Sequence, residues 1–183
     1  NLCAAHKFGS PFYLYDEKAI KNNIKNISQA FSIFTDANIY FALDTLPNPY
    51  ILKILAKLNI GASCSSLPQI IIAERAGLLN EKILFSSTFA QEKELIYANL
   101  KGSAFAIYSE EQLYLLENVA GNLSDTILLE YNPTKTPEEK TNNTTYNHYI
   151  QQSDLGLDKN QLFKLCKICH EKNVPNIGVQ CKV

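Results

Sequence analysis

Methionine is absent from this 183-residue chain, arginine occurs once, at Arg75, and glycine only seven times. The scarcity of arginine and glycine narrows the functions to consider. A single arginine weakens any reading that needs several bidentate forks to grip phosphate or read guanine. The glycines are nowhere arranged as G-x-G-x-x-G or G-x-x-x-x-G-K, so glycine-rich phosphate loops of those types are excluded. No apolar run approaches the length of a membrane span. A formal net charge of −1 supplies no global field to draw in nucleic acid or an anionic membrane. Neither is expected as a partner.

What remains is ordinary globular material, 46% hydrophobic and 19% charged, enough for one sizeable core and a single domain over residues 1–183. Asn1 to Ser10 has no continuous apolar stretch, so no retained secretory signal is expected. The five cysteines (Cys3, Cys64, Cys166, Cys169 and Cys181) are odd in number and scattered. That usage points to a reducing compartment rather than a disulfide scaffold, and a cytoplasmic location is expected.

From residue 16 onward two kinds of segment alternate. Asp16 is an expected N-cap, and Ala19, Ile20, Ile24, Ile27 and Phe31 follow as the apolar stripe of a helix. Asn38-Ile-Tyr-Phe-Ala-Leu43 is short, apolar and aromatic, the pattern of a strand buried on both faces. The unit then repeats, with helices expected at 48–58, 67–76, 90–99, 109–120 and 158–172. Strands are expected at 60–65, 82–86, 103–107, 126–131 and 177–183. Strands separated by helix-length segments require right-handed parallel crossovers, hence an α/β fold of about six parallel strands. An open doubly wound sheet and an incomplete eight-stranded barrel both fit this periodicity. One segment breaks it: Asn132 to Gly156 is long and polar, with Pro133 and Pro137 near its start, the mark of a functional or disordered loop.

The Cys166-Lys-Ile-Cys169-His170 stretch has the spacing of covalent haem attachment. Leu162, Leu165, Cys166 and Cys169 also recur at helical spacing, so the thiols are expected to face the core as small hydrophobes. No metal site is expected. Serines abound near strand ends, but no G-x-S-x-G elbow surrounds any of them. Their shared location says more. In parallel α/β folds function gathers at the C-terminal ends of the strands. Those ends carry Asp44, Ser65, Ser66, Ser86, Ser87, Thr88, Ser109, Glu130, Asn132 and Lys182, a polar ring.

Several segments, in order, resemble the fold-type III pyridoxal-phosphate decarboxylases, diaminopimelate decarboxylase most of all. Ser10-Pro-Phe-Tyr-Leu-Tyr-Asp16 resembles "TPxYVYD", and Tyr40-Phe-Ala-Leu-Asp-Thr-Leu-Pro-Asn-Pro49 resembles "YAVKANPNP". Gly61-Ala-Ser-Cys-Ser-Ser66 resembles "GxDVVS", and Ile107-Tyr-Ser-Glu-Glu-Gln-Leu113 resembles "VDSEEEL". Leu129-Glu-Tyr-Asn-Pro133 is similar to "LRVNP", Ser153-Asp-Leu-Gly-Leu157 to "SKFGI", and Gly178-Val-Gln-Cys-Lys-Val183 to "GLHCHIG". Ornithine and carboxynorspermidine decarboxylases are the alternative relatives.

The resemblance implies an incomplete TIM-type (β/α)₈ barrel of the alanine-racemase-like kind, without the family's C-terminal β domain. It implies pyridoxal phosphate as cofactor and a small amino acid as substrate. It also implies departures. Asp44 stands at the cofactor-lysine position, Lys182 at the ring-stacking histidine, Glu130 at an arginine and Ser63 at an aspartate. Ser63, Ser66, Ser87, Ser109 and Glu130 are the residues expected around the cofactor. A carboxylate cannot form a Schiff base, so the expected cofactor site is degenerate. Lys182 either supplies the missing amine from across the barrel mouth or, as is expected, forms an ion pair with Asp44 or Glu130 in place of cofactor contacts. Either a lyase lineage or a non-catalytic binding or regulatory relative follows. Unpaired barrel edges would favour a homo-oligomer or a companion segment.

Overall fold

A computed structural model describes residues 2–34, 37–133 and 155–181; Lys182 and most of the polar stretch from 132 to 156 lie outside them. The chain divides into two compact units after residue 37. The first holds helices α1 (Leu2–Phe8) and α2 (Glu17–Ala30). Asp16 does cap α2, its Oδ1 accepting from the Ala19 N–H at 3.1 Å. None of the α2 residues is fully buried.

The second unit alternates strand and helix. Its strands are β1 (Tyr40–Ala42), β2 (Gly61–Cys64), β3 (Ile83–Phe85), β4 (Ala104–Ile107), β5 (Thr126–Glu130) and β6 (Asn176–Gln180). The helices are α3 (Pro49–Lys57), α4 (Leu67–Arg75), α5 (Glu92–Leu100), α6 (Glu110–Ala120) and α7 (Lys159–Glu171). Local chemistry fixes the starts: Asn48 caps α3 ahead of Pro49, and Asp158 with Gln161 forms a capping box on α7.

All five strand pairings are parallel, and the sheet order is β1-β2-β3-β4-β5-β6. A doubly wound sheet reverses direction at a switch point. Strictly sequential order is the winding of a (β/α) barrel, so the choice left open by periodicity falls to the partial barrel.

Two apolar layers flank this sheet. The larger lies between sheet and helices and includes Leu43, Cys64, Phe85, Phe105, Ile107, Ile127, Leu129, Leu165 and Cys169. Phe85 and Phe105 meet edge to face, with ring centroids 5.7 Å apart. The smaller lies on the other, inner face: Leu84, Ala104, Ala106 and Tyr108, with Tyr40 and Leu128 packed on them. Strand spacing on that face depends on Gly61, where a Cβ would fall 2.6 Å from the Tyr40 ring and 2.7 Å from the Lys82 carbonyl. Cys169 is fully buried in the helix-side layer and Cys166 packs against it. Burial pushes the Cys169 thiol up to about 11. Both thiols therefore face the core as the helical spacing foretold.

Candidate active site at the strand exits

Alternation along the strands decides which side chains reach the inner face at the C-terminal ends. Leu84, Ala106 and Leu128 belong to the inner layer, so the next inner residues are Ser86, Tyr108 and Glu130. By the same alternation Tyr40 leads to Asp44, Ser63 to Ser65 and Gly178 to Gln180. The inner row at the exits thus reads Asp44, Ser65, Ser86, Tyr108, Glu130 and Gln180. Two neighbouring pairs are joined directly: Ser65 Oγ donates to Asp44 Oδ1 at 2.6 Å, and the Ser86 and Tyr108 hydroxyls are 2.6 Å apart. Glu130 and Gln180 are register partners, and Glu130 is only 4% exposed.

Behind this row sits a device used twice. At the β1/β2 exit, Gln69 in the first turn of α4 accepts from the Ser65 N–H through Oε1 at 2.7 Å. Its amide nitrogen donates to Asp44 Oδ1 at 2.8 Å. At the β3/β4 exit, Gln112 in the first turn of α6 accepts from the Tyr108 N–H at 2.9 Å. There the amide nitrogen donates to the Ser87 carbonyl at 2.8 Å. Each glutamine therefore ties the exit of one strand to the exit of the strand before it. The motif is a relative of the capping box, Ser66-x-x-Gln69 and Ser109-x-x-Gln112, with the glutamine reaching one residue further back than the N-cap.

The remaining expected residues take varied places. Ser63 is half-buried on β2, in register with Ala42 and Leu84. Ser66 is the N-cap residue of α4, without a side-chain bond to the helix. Ser109 caps α6 by accepting from the Gln112 N–H at 3.2 Å. Ser87 is nearly buried, and its carbonyl serves the second glutamine. Lys182, and with it the expected ion pair, lies outside the described residues. The structure adds Gln69, Tyr108, Gln112 and Gln180, which the pattern of strand-end serines did not single out. The S-x-x-Q spacing was the available signal for the two first-turn glutamines.

The charge of Asp44 is felt locally. The Cys64 thiol is pushed up to about 12, first by burial and then by the Asp44 carboxylate. Desolvation and a nearby anion both disfavour a thiolate. Cys64 is therefore a core residue and no nucleophile. Among the described residues no group of His, Cys, Asp and Glu is arranged to hold a metal ion. No helix among them is long and apolar enough to cross a membrane. A concavity of about 500 Å³ lies between α4 and α5 and is lined by Leu67, Pro68, Ile72, Arg75 and Lys93 rather than by the inner row.

Comparison with known proteins gives one consistent answer. Residues 17–183 match the family model described as pyridoxal-dependent decarboxylase, pyridoxal binding domain. The diaminopimelate decarboxylase of Aquifex aeolicus is 28% identical over 183 residues, covering 98% of this chain and 42% of that protein. The crystal structure of diaminopimelate decarboxylase from M. jannaschii in co-complex with L-lysine superposes with a TM-score of 0.80. It is 26% identical and covers 100% of this chain and 44% of its own. The Vibrio vulnificus lysine/ornithine decarboxylase, complexed with putrescine, shares the fold at a TM-score of 0.72 and 14% identity. The chain thus spans about two-fifths of the length of the relatives it matches.

Proposed function

The chain belongs to the pyridoxal-dependent decarboxylases, within their pyridoxal-binding domain, and from that membership we propose a diaminopimelate-decarboxylase-like barrel whose cofactor site has degenerated. The family depends on pyridoxal phosphate. What a lysine supplies at the exit of the first barrel strand is a primary amine that condenses with the cofactor aldehyde. Asp44 offers a carboxylate there, and one oxygen of that carboxylate accepts from both Ser65 and Gln69. This single observation carries the reading. Among the described residues the inner row offers two carboxylates, three hydroxyls and an amide, and the carboxylate at position 44 cannot itself form a Schiff base. Glu130, only 4% exposed, places a second carboxyl in the same row where the resemblance implies an arginine.

Lineage and activity therefore separate. The barrel scaffold is that of an amino-acid lyase, while the exits of β1 and β2 are built as a hydrogen-bonded tie. A chain of this kind acts as a binding or regulatory relative rather than as a lyase in its own right. Equilibration with one equivalent of pyridoxal phosphate followed by gel filtration tests this. Loss of the cofactor on filtration is expected. Retention of one equivalent, with catalysed release of carbon dioxide from diaminopimelate, would contradict it.

A further inference from the structure

We propose that Gln69 determines which residue can stand at position 44, so that the pair Asp44–Gln69, rather than Asp44 alone, separates this site from one that accepts a lysine. The orientation of the Gln69 amide is not free. The Ser65 backbone N–H can only donate, so the amide atom 2.7 Å from it is the oxygen. The NH₂ group is thereby turned toward position 44, where it meets Asp44 Oδ1 at 2.8 Å. The tie is complete only when position 44 supplies an acceptor; at this exposed position any other residue leaves the NH₂ to water. A lysine ammonium has donors only: Ser65 Oγ could turn to accept from it, but the Gln69 NH₂ could not, and the Oδ1 that receives that NH₂ would be gone.

Turning the amide over does not relieve this. It would present NH₂ to the Ser65 N–H, two donors face to face, and leave a half-buried backbone group without its bond. The tie therefore reads the chemistry of residue 44. Glutamate at position 69 changes the outcome, because both of its oxygens accept: one keeps the Ser65 N–H, the other takes an ammonium or amide donor from position 44. The inference rests on Asp44 standing at the Schiff-base position. Its test uses thermal unfolding without cofactor, so failure of the cofactor reading and failure of this one are distinguishable.

The experiment is a charge-exchange cycle on the full chain. Asp44→Lys and Gln69→Glu are each expected to lower Tm by on the order of 3–6 °C, the first by removing the acceptor of the Gln69 NH₂, the second by setting two carboxylates together. The double variant Asp44→Lys/Gln69→Glu is expected to recover at least half of the summed loss. If Asp44→Lys does not fold, Asp44→Asn/Gln69→Glu serves. The asparagine introduced at position 44 can turn its NH₂ toward the new carboxylate at position 69, so this double variant should be more stable than Gln69→Glu alone. Strictly additive losses in the first cycle, or no gain from Asp44→Asn in the second, would overturn the proposal.

Discussion

The β1/β2 and β3/β4 exits are tied by the same means and differ in what the tie holds. Both use a first-turn glutamine whose amide oxygen takes the N–H of the residue leaving the strand, Ser65 in one case and Tyr108 in the other. At β3/β4 the amide nitrogen closes on the Ser87 carbonyl, a group every residue has. At β1/β2 it closes on the Asp44 carboxylate, a group few residues have. The first tie is indifferent to side-chain identity and is purely architectural. The second makes the chemistry of one side chain part of the fold. A strand exit can therefore carry a bond specific to one side chain, provided a neighbour is there to receive it.

The sharpest way to break the comparison is Gln112→Ala. It leaves the Tyr108 N–H and the nearly buried Ser87 carbonyl without this partner, at a cost of about 2 kcal/mol. A urea midpoint shift at unchanged slope would report it. A loss below about 0.5 kcal/mol would mean that the β3/β4 tie is ornamental. Next in size is the contrast at the residue held. Asp44→Lys should cost about 1–2 kcal/mol, while Asp44→Asn, which keeps an acceptor, should stay within about 0.5 kcal/mol. Ser87→Ala should be similarly mild, since only its carbonyl is used by Gln112. Equal losses for Asp44→Asn and Asp44→Lys would erase the distinction between the two exits.

Smaller still is the hydroxyl pair between them. Ser86→Ala and Tyr108→Phe should each cost about 1 kcal/mol and be non-additive, because either change removes the same bond. The thiols give a separate comparison, read in pH. Burial and Asp44 hold Cys64 up to about 12, and burial holds Cys169 up to about 11, against an ordinary value of 9.0. A raised acid means the neutral form is favoured in the folded state. The associated stability is complete below pH 9 and falls as pH rises toward these values. Unfolding midpoints at pH 8 and pH 10.5 should show that decline, and Cys64→Ala should reduce it. At pH 8 exposed Cys3 and Cys181 should react with a thiol reagent at once, and buried Cys64 and Cys169 only on unfolding.

Much of this fold was legible in the residues. Continuous apolar strands such as Thr126-Ile-Leu-Leu129 and capping residues such as Asp16 located the elements to within a few positions, because strand burial and helix capping are local properties. Helix α1 was not foreseen; seven residues give too short a period to read. The winding was not legible either, since strand order depends on how crossovers pack and not on the period of any one segment. Asp44 was visible because a carboxylate at that place contradicts the pattern around it. Its partners were not. Ala104-Phe-Ala-Ile107 is buried on both faces, so nothing in its hydrophobicity says which side chains point inward, and Tyr108 went unnoticed as a member of the inner row. Gln69 and Gln112 escaped for a related reason: polar residues at a helix start look like ordinary solvated caps until a backbone donor is found opposite them.

The central claim is that the exit of β1 presents an acceptor held by Ser65 and Gln69 and that no covalent cofactor linkage forms there. Its most direct test is borohydride reduction of the purified chain in the presence of pyridoxal phosphate, followed by mass mapping of reduced lysine adducts. The account predicts only scattered, substoichiometric modification of exposed lysines, unchanged in Asp44→Asn. A single stoichiometric adduct, on Lys182 or any other lysine, would contradict it.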